Sequence, residues 1–352
     1  MAPSRGFLAL GPPGGPPGGD TVVFIEGDQI EDDDTKDSLG LERWHPQSHL
    51  TTMRQLFPTA SLVVCVLPTT VAPGGQSCFG AFLPAMTATG EPLGFKPAGY
   101  KAATHLAELL AEAKAEAVAA RTAEAGAAPA PDEPSRAGAG AGAEAAAQAG
   151  DPAPAPVGEG EGEGGVVLVG FSKGAVVVNQ LLAEMAAHEE ARGAEAGTSG
   201  GVVGAGPSGA APPSLTGGAG PGAVGPAVAR PLATALAGAR PALAPPAAAA
   251  VLDSIRAVHF LDAGLNCRGV HLTDPTPISH LAARHRRQPL SLVLHGTPRQ
   301  WGDRRRPWIA AEKDRFLALL AEAGLPAEAR SYFAGQPGSL KQHFDVIKEM
   351  RP

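Results

Sequence analysis

The sequence indicates an α/β domain with a mostly parallel, doubly wound sheet. Short runs of Val, Ile, Leu and Phe recur along the chain, as expected of strands that are buried on both faces. Segments with helical periodicity alternate with these runs, and such alternation is typical of a parallel sheet. Outside the low-complexity segments, roughly 230 residues remain, which one domain can accommodate.

Low-complexity segments define the expected domain organisation. Residues 1–20 are rich in Pro and Gly and are predicted to be a flexible leader, so the domain is expected to span residues 21–350. Two segments, 121–165 and 193–250, have too few large apolar side chains to offset the entropy of ordering. Both are predicted to be disordered insertions. The segments on either side of them are then expected to form one core, although they are not contiguous in the sequence.

Composition excludes several classes of protein. The formal net charge of −7 disfavours a nucleic-acid-binding protein. No apolar run approaches the ~20 residues of a membrane-spanning helix, and the amino terminus lacks the pattern of a signal peptide. The three cysteines (Cys65, Cys78 and Cys267) are odd in number and widely spaced, which argues against a disulfide framework and a zinc site. We therefore expect a protein of a reducing compartment such as the cytoplasm.

Two buried strands are predicted early in the chain, at 21–25 and 61–67, with a short helix at 48–57 between them. The following segment, 68–98, is rich in Gly, Pro and Thr and carries several aromatic residues. It either lines a pocket or forms a surface loop that its aromatic side chains pin to the core. Residues 100–120 are then predicted to form a helix.

The stretch from Gly164 to Met185 carries the strongest chemical signal. An apolar run, VVLV, leads into GFSKG and then into a segment with helical spacing. This is the strand, sharp turn and helix of a G-x-S-x-G nucleophile elbow. Glycine is needed on both sides of Ser172 because a side chain there would collide with the strand or the helix, and the serine itself takes a strained backbone conformation. Ser172 is thus a candidate nucleophile.

A nucleotide-binding site fits this sequence poorly. Lys173 follows a serine and precedes Gly174, so the order of a P-loop is absent. The glycines between Gly158 and Gly164 lie before the strand, whereas a dinucleotide fingerprint has them after it. The segment EGDQIEDDD after the first strand supplies no such pattern either.

The carboxy-terminal part continues the alternation of strands and helices. Strands are predicted at 255–261, 290–294 and 329–333, and helices at 278–285 and 308–323. A closing helix is predicted after His343, which itself is expected on the preceding loop.

A nucleophilic serine needs a base, and the α/β-hydrolase arrangement places serine, acid and histidine in that chain order. The candidate bases are His259, His271, His295 and His343. His259 lies inside a predicted strand, which favours a core position. His295 stands at a strand end and is retained as a possible pocket residue. His343 follows the last predicted strand and is the favoured base.

Two aspartates follow predicted strands and could orient the base. Asp303 precedes His343 by one helix and one short strand, which is the usual spacing of a triad acid, and we favour it over Asp262. Asp262 remains a candidate pocket residue or a structural turn residue.

Backbone N–H groups are expected to stabilise negative charge that develops on the substrate. They are those of Lys173 and of Gly27 or Asp28. The side chain of Lys173 is expected to face solvent.

Several of these blocks together resemble a known family. They are VFIEGD, VVLVGFSKGAVVVNQLL, HFLDAG, HGTPRQWGDRRRPWI and QHFDVI, and they occur in the same order as in the family named after human chromosome two open reading frame sixty-nine. The similarity covers residues 21–120, 165–190 and 251–350. It implies an α/β-hydrolase-like fold and a serine hydrolase whose triad positions match Ser172, Asp303 and His343.

One block departs from the family pattern, because LDGG is LDAG here, with Ala263 before Gly264. Animal members of the family are associated with mitochondria, so the resemblance implies a mitochondrial location beside the cytoplasmic one. The apolar presequence of those members is not found at the amino terminus of this sequence, which is the second departure from the family pattern.

Two functions follow as hypotheses. The first is a serine hydrolase that acts on a small-molecule or other acyl substrate and needs no metal or organic cofactor. The alternative is a catalytically inactive protein of the same fold that binds another protein.

Overall fold

A seven-stranded sheet forms the centre of the computed structural model. Its strand order is β1-β3-β2-β6-β7-β8-β9, and every pairing is parallel except that of β1 with β3. The structure describes residues 6–10, 18–30, 32–40, 45–97, 99–126, 164–199 and 242–352. Mixed α/β content and a mostly parallel sheet were predicted from the sequence, and both are confirmed.

The strands keep the chain order of the predicted apolar runs. They are β1 (Phe7–Leu10), β2 (Thr21–Ile25), β3 (Leu62–Val66), β6 (Val166–Phe171), β7 (Ile255–Leu261), β8 (Ser291–Gly296) and β9 (Ala327–Ser331). A separate antiparallel hairpin consists of β4 (Thr70–Ala72) and β5 (Gln76–Cys78).

The direction of winding reverses between β2 and β6. From β2 the chain moves outward to β3, returns past β2 to β6, and then adds β7, β8 and β9 on the other side. Ile25 pairs in register with Gly170, so the segments that follow β2 and β6 emerge side by side. In open α/β sheets a ligand crevice lies at this switch point, outside the carboxyl ends of the strands.

Helices cover both faces of the sheet. One layer contains α2 (Pro46–Leu56) and α9 (Leu340–Glu349). The other contains α3 (Lys101–Gly126), α4 (Ala175–Ser199), α5 (Pro246–Ser254), α6 (Pro275–Arg287) and α8 (Trp308–Glu322). Two short helices, α1 (Asp33–Ser38) and α7 (Pro298–Trp301), lie in loops at the carboxyl edge.

Alternation along the strands explains why both faces are apolar. In β2, Val23 and Ile25 pack under the larger layer, whereas Val22 and Phe24 pack under α2 and α9. All four side chains are at most 1% exposed. A strand covered on both sides needs an unbroken apolar run, which is the pattern TVVFI provides.

The amino-terminal leader differs from its prediction. Phe7–Leu10 forms β1, which pairs antiparallel with β3, and Phe7 is buried. The short segment FLAL thus covers the outer edge of β3. This strand was not predicted because the residues around it are rich in Pro and Gly. The remaining leader residues 1–5 and 11–17 lie outside the described residues.

Most of the two predicted insertions also lies outside the described residues, namely 127–163 and 200–241. Of their described ends, 121–126, 193–199 and 246–250 are helical, whereas 164–165 and 242–245 have no regular secondary structure. Helix α3 continues to Gly126, α4 continues to Ser199, and α5 begins at Pro246. No helix in the described part of the chain is long and apolar enough to cross a membrane.

His271, one of the four candidate bases, is a core residue. Its ring stacks on Phe316 at 5.4 Å between centroids and meets Phe260 edge-on at 5.0 Å. Its Nδ1 has no hydrogen-bond partner among the described residues. Burial lowers the pKa of His271 to about 3, so the folded protein holds this ring neutral.

We expect His271 to make the fold sensitive to acid. Below pH 6.5 the unfolded chain binds a proton at this residue and the folded chain does not, so the free energy of unfolding falls as the pH falls towards 3. By pH 4.5 the loss from this group amounts to about 3 kcal/mol. Urea unfolding of wild type and of His271→Phe at pH 7.5 and 4.5 measures it, and an equal pH dependence in both proteins contradicts the assignment.

Candidate active site

A strained turn presents Ser172 at the switch point of the sheet. Strand β6 ends at Phe171, Ser172–Gly174 form one turn of 3-10 helix, and α4 begins at Ala175. Ser172 has a φ of +50°, a conformation that few residues other than glycine adopt. A Cβ at Gly170 would lie 2.6 Å from Val178 Cγ2, and one at Gly174 would strike the carbonyl oxygen of Ile25. The two flanking glycines therefore allow β2, β6 and α4 to pack this closely.

Ser172, His343 and Asp262 form a continuous hydrogen-bonded chain. His343 Nε2 lies 3.0 Å from Ser172 Oγ, and His343 Nδ1 lies 2.6 Å from Asp262 Oδ2. A carboxylate at Nδ1 fixes the tautomer with hydrogen on that nitrogen, which leaves Nε2 free to accept the serine proton. The three side chains are at most 8% exposed, so the chain is shielded from water.

The Asp262 carboxylate is held by Thr297 as well as by His343. Its Oδ1 accepts the backbone N–H of Thr297 at 2.7 Å, and its Oδ2 accepts the Thr297 hydroxyl at 2.9 Å. Asp262 also has a positive φ, +45°, and is fully buried. These bonds fix the carboxylate in place.

The first turn of α9 carries His343. Ser339 caps this helix, and a capping box with Gln342 satisfies the first backbone groups. The imidazole lies against Phe171 with 4.8 Å between ring centroids. The histidine was expected on a loop, but it lies in the first turn of a capped helix. The start of this helix and the ring of Phe171 together fix the orientation of the imidazole.

The expectation that Asp303 orients the base must be corrected. Asp303 accepts hydrogen bonds from Arg306 Nε at 2.8 Å and from the Arg305 backbone at 2.9 Å. The Arg306 bond lowers the pKa of Asp303, which is only partly buried. Asp262 instead follows β7, the direct neighbour of β6, and Phe171 pairs with Leu261. The acid of the triad is thus the one that follows the strand next to β6, and its distance from His343 along the chain does not identify it.

His295 does not face the nucleophile, contrary to its retention as a pocket candidate. Its Nε2 lies 3.0 Å from His259 Nδ1, and its Nδ1 lies 2.8 Å from the Tyr332 hydroxyl. Burial lowers the pKa of His259 to about 4 and that of His295 to about 3. The backbone of His295 does reach the site, because its carbonyl accepts the N–H of Asp262 at 2.7 Å.

Gly27, one of the two candidate oxyanion residues after β2, lies directly against the nucleophile. A Cβ on Gly27 would come within 2.7 Å of Ser172 Cβ and 2.9 Å of Phe171 Cδ1. Its carbonyl accepts the Ser77 hydroxyl at 2.6 Å and the Gln29 side-chain amide at 3.1 Å. The N–H of Lys173 belongs to the first turn of a helix, where such groups lack intrahelical acceptors. The turn after β2 and this helix start thus flank Ser172.

The side chain of Lys173 is buried, although it was expected to face solvent. It is 1% exposed, and its Nζ lies 3.2 Å from Asp28 Oδ1 and 3.5 Å from Glu91 Oε1. Nζ also donates to the Thr89 carbonyl at 2.8 Å. The side chain is buried because the turn after β2 and the segment that contains Thr89 and Glu91 both pack over it.

In the described part of the 68–98 segment, aromatic side chains pin the loop to the core, as one of the two expectations had it. Phe79 and Phe82 pin it into the core, and Glu91 brings it to Lys173. Glu91 Oε2 also accepts the thiol of Cys267 at 3.4 Å. Burial, followed by the charge of Glu91, raises the pKa of Cys267 to about 11. The segment is therefore docked against the nucleophile turn and against the loop that follows β7.

No group of three or more His, Cys, Asp or Glu side chains within the described ranges is arranged to hold a metal ion. Four polar contacts of the site were not predicted from the sequence, namely those of Thr297, Ser77, Thr89 and Glu91. The strand-end position of Thr297, directly after HG, is the one signal that could have indicated it.

The two aspartates can be separated by matched substitutions. We expect Asp262→Asn to slow labelling of Ser172 by a fluorophosphonate on the order of 10³-fold or more, because the amide no longer fixes the productive tautomer of His343. Asp303→Asn removes a bond to Arg306 only and should leave the rate nearly unchanged. Intact-mass time courses measure both rates, with thermal unfolding as a check on folding. Equal rates for the two variants would contradict the role of Asp262.

Two curated proteins resemble part of the chain. The mitochondrial protein C2orf69 homolog of Danio rerio is 30% identical over 115 residues, which are 32% of this chain and 32% of the fish protein. The protein of the same name from Mus musculus is 29% identical over 98 residues, 28% of this chain and 26% of the mouse protein. The matched region thus spans about a third or less of these relatives, and no protein-family model matches the chain. This partial similarity supports the family resemblance drawn from the sequence motifs.

Proposed function

We propose that this chain is a serine hydrolase of the α/β-hydrolase type and a member of the C2orf69 family. The observation that supports this most directly is the hydrogen-bonded chain from Ser172 through His343 to Asp262. Its members come from three separate segments that meet at the switch point of a parallel sheet. A nucleophile, a base and an orienting acid in this geometry are the parts that acyl transfer requires.

The substrate class is an ester, a thioester or a related acyl bond. Ser172 Oγ attacks the acyl carbon while His343 Nε2 takes its proton, and Asp262 stabilises the resulting imidazolium through Nδ1–H. The imidazolium then protonates the leaving group as the bond to the acyl carbon breaks. Water, activated by the same histidine, attacks the acyl-enzyme and releases the acid, which restores Ser172.

Backbone N–H groups stabilise the negative charge that develops on the carbonyl oxygen of the substrate during the attack. The donors that fit are those of Lys173 and of Gly27 or Asp28, because the two segments flank Ser172. Each such donor contributes roughly 3 kcal/mol to lowering the barrier. The buried surroundings of the triad strengthen these interactions, since the local dielectric is low.

The rival function is a catalytically inactive protein of this fold that binds another protein. It shares the fold but requires no activated serine, so covalent labelling separates the two. A mitochondrial location is part of the proposal, because both relatives are named as mitochondrial proteins.

The proposal predicts one covalent fluorophosphonate adduct on the purified protein, located at Ser172. Ser172→Ala should abolish the adduct, and His343→Ala should slow its formation on the order of 10³-fold or more. Ser291→Ala is a matched control, because Ser291 is an exposed serine at the opposite end of a parallel strand. Intact mass and peptide mapping give the stoichiometry and the site. A folded wild-type protein that takes no label would refute the hydrolase and favour the rival.

A further inference from the structure

In the proposed reaction Lys173 takes part through its backbone N–H, and its side chain has no role. This side chain is 1% exposed, although it directly follows the nucleophile. An ammonium group is taken out of water at a large cost unless it is paired and hydrogen-bonded. The groups that pair with the Lys173 ammonium therefore indicate the role of this side chain.

Its partners come from two different segments at the catalytic edge. Asp28 belongs to the turn after β2, next to Gly27, and its Oδ1 lies 3.2 Å from Lys173 Nζ. Thr89 and Glu91 belong to the segment between β5 and α3, which we call the cover segment (residues 79–97). The Thr89 carbonyl accepts from Nζ at 2.8 Å, and Glu91 Oε1 lies 3.5 Å away.

The turn after β2 is also bonded to Ser77, which lies in β5 shortly before the cover segment. The backbone N–H of Ser77 donates to Asp28 Oδ1 at 2.8 Å, and its hydroxyl donates to the Gly27 carbonyl at 2.6 Å. The Asp28 carboxylate is thus shared between Lys173 and Ser77. Without the lysine, the Asp28 and Glu91 carboxylates would lose the cation that links the turn after β2 to the cover segment.

We propose that Lys173 is a positioning residue that holds the turn Gly27–Asp28, and with it the oxyanion N–H, against the nucleophile. Gly27 is so close to Ser172 that a Cβ would stand 2.7 Å from the serine Cβ, so a small displacement of this turn moves the donor relative to the reacting oxygen. The Asp28 side chain is 38% exposed and that of Glu91 is 10% exposed, so Lys173 links a partly solvated carboxylate of the turn to a more deeply buried one of the cover segment. The catalytic part of this inference rests on the proposed hydrolase function, and the positional part does not.

Four variants test the inference. Lys173→Met removes the charge, Asp28→Asn removes the charge of its partner while keeping an oxygen for Ser77, and a double variant combines them. Lys101→Met is the matched control, because Lys101 Nζ also holds the cover segment, through the carbonyls of Gly80 and Leu83, but touches neither carboxylate. Each variant is examined for its rate of fluorophosphonate labelling and for amide hydrogen exchange in the peptide covering residues 26–30.

We expect Lys173→Met to label about 10-fold or more slowly, because part of the oxyanion stabilisation is lost. Exchange at residues 26–30 should rise in the same variant, while Lys101→Met should leave both measurements near wild type. In the double variant the two losses should not add, because both substitutions break one interaction. Rescue of the labelling rate by Lys173→Arg would further separate the charge from simple packing.

Three results would overturn the inference. They are unchanged exchange at residues 26–30 in Lys173→Met, an equal effect of Lys101→Met, and additive losses in the double variant. A wild-type protein without any label refutes the hydrolase function by itself. In that case, raised exchange in Lys173→Met would still support the positional role, and unchanged exchange would refute it.

Discussion

The left-handed backbone at Ser172 is the constraint on which the rest of the catalytic edge depends. Such a conformation costs on the order of 1–3 kcal/mol and persists only where the surroundings impose it. Here the imposing parts are the buried strand β6, the long helix α4 and the end of β2. Gly170 lets α4 approach β6, and Gly174 lies against the carbonyl oxygens of Ile25 and Glu26. Asp262 has the same positive φ at the end of the neighbouring strand. Two adjacent strands thus end in similar strained turns, and His343 bridges the side chains that these turns present.

Features encoded locally could be predicted from the sequence. The buried strands, the elbow and helix α8 follow from apolar runs, helical periodicity and glycine positions, all of which lie within some twenty residues of one another. His343 was also identified as the candidate base, because it follows the last strand, and the structure brings its ring to Ser172. The parallel sheet followed from the alternation of elements alone.

Features that depend on neighbours in space could not be predicted in this way. Asp303 and Asp262 both follow strands, and only the strand order shows that Asp262 stands beside the elbow. The burial of Lys173 depends on Asp28 and Glu91, which lie 145 and 82 positions earlier in the sequence. Strand β1 was missed for the same reason, since four residues become a strand only when an edge is available to pair with. In each case the missing information was a contact distant in sequence.

The two outer strands of the sheet also bear on how the protein behaves at high concentration. An unpaired strand edge is a template for joining another chain, and natural proteins guard against this with short or charged edge strands. Here β1 has four residues, and the opposite edge, β9, carries Glu328 and Arg330 bonded to one another on a largely exposed strand. An incoming strand would have to dehydrate this pair in order to extend the sheet. The apolar interior of the sheet is therefore flanked by margins that disfavour self-association.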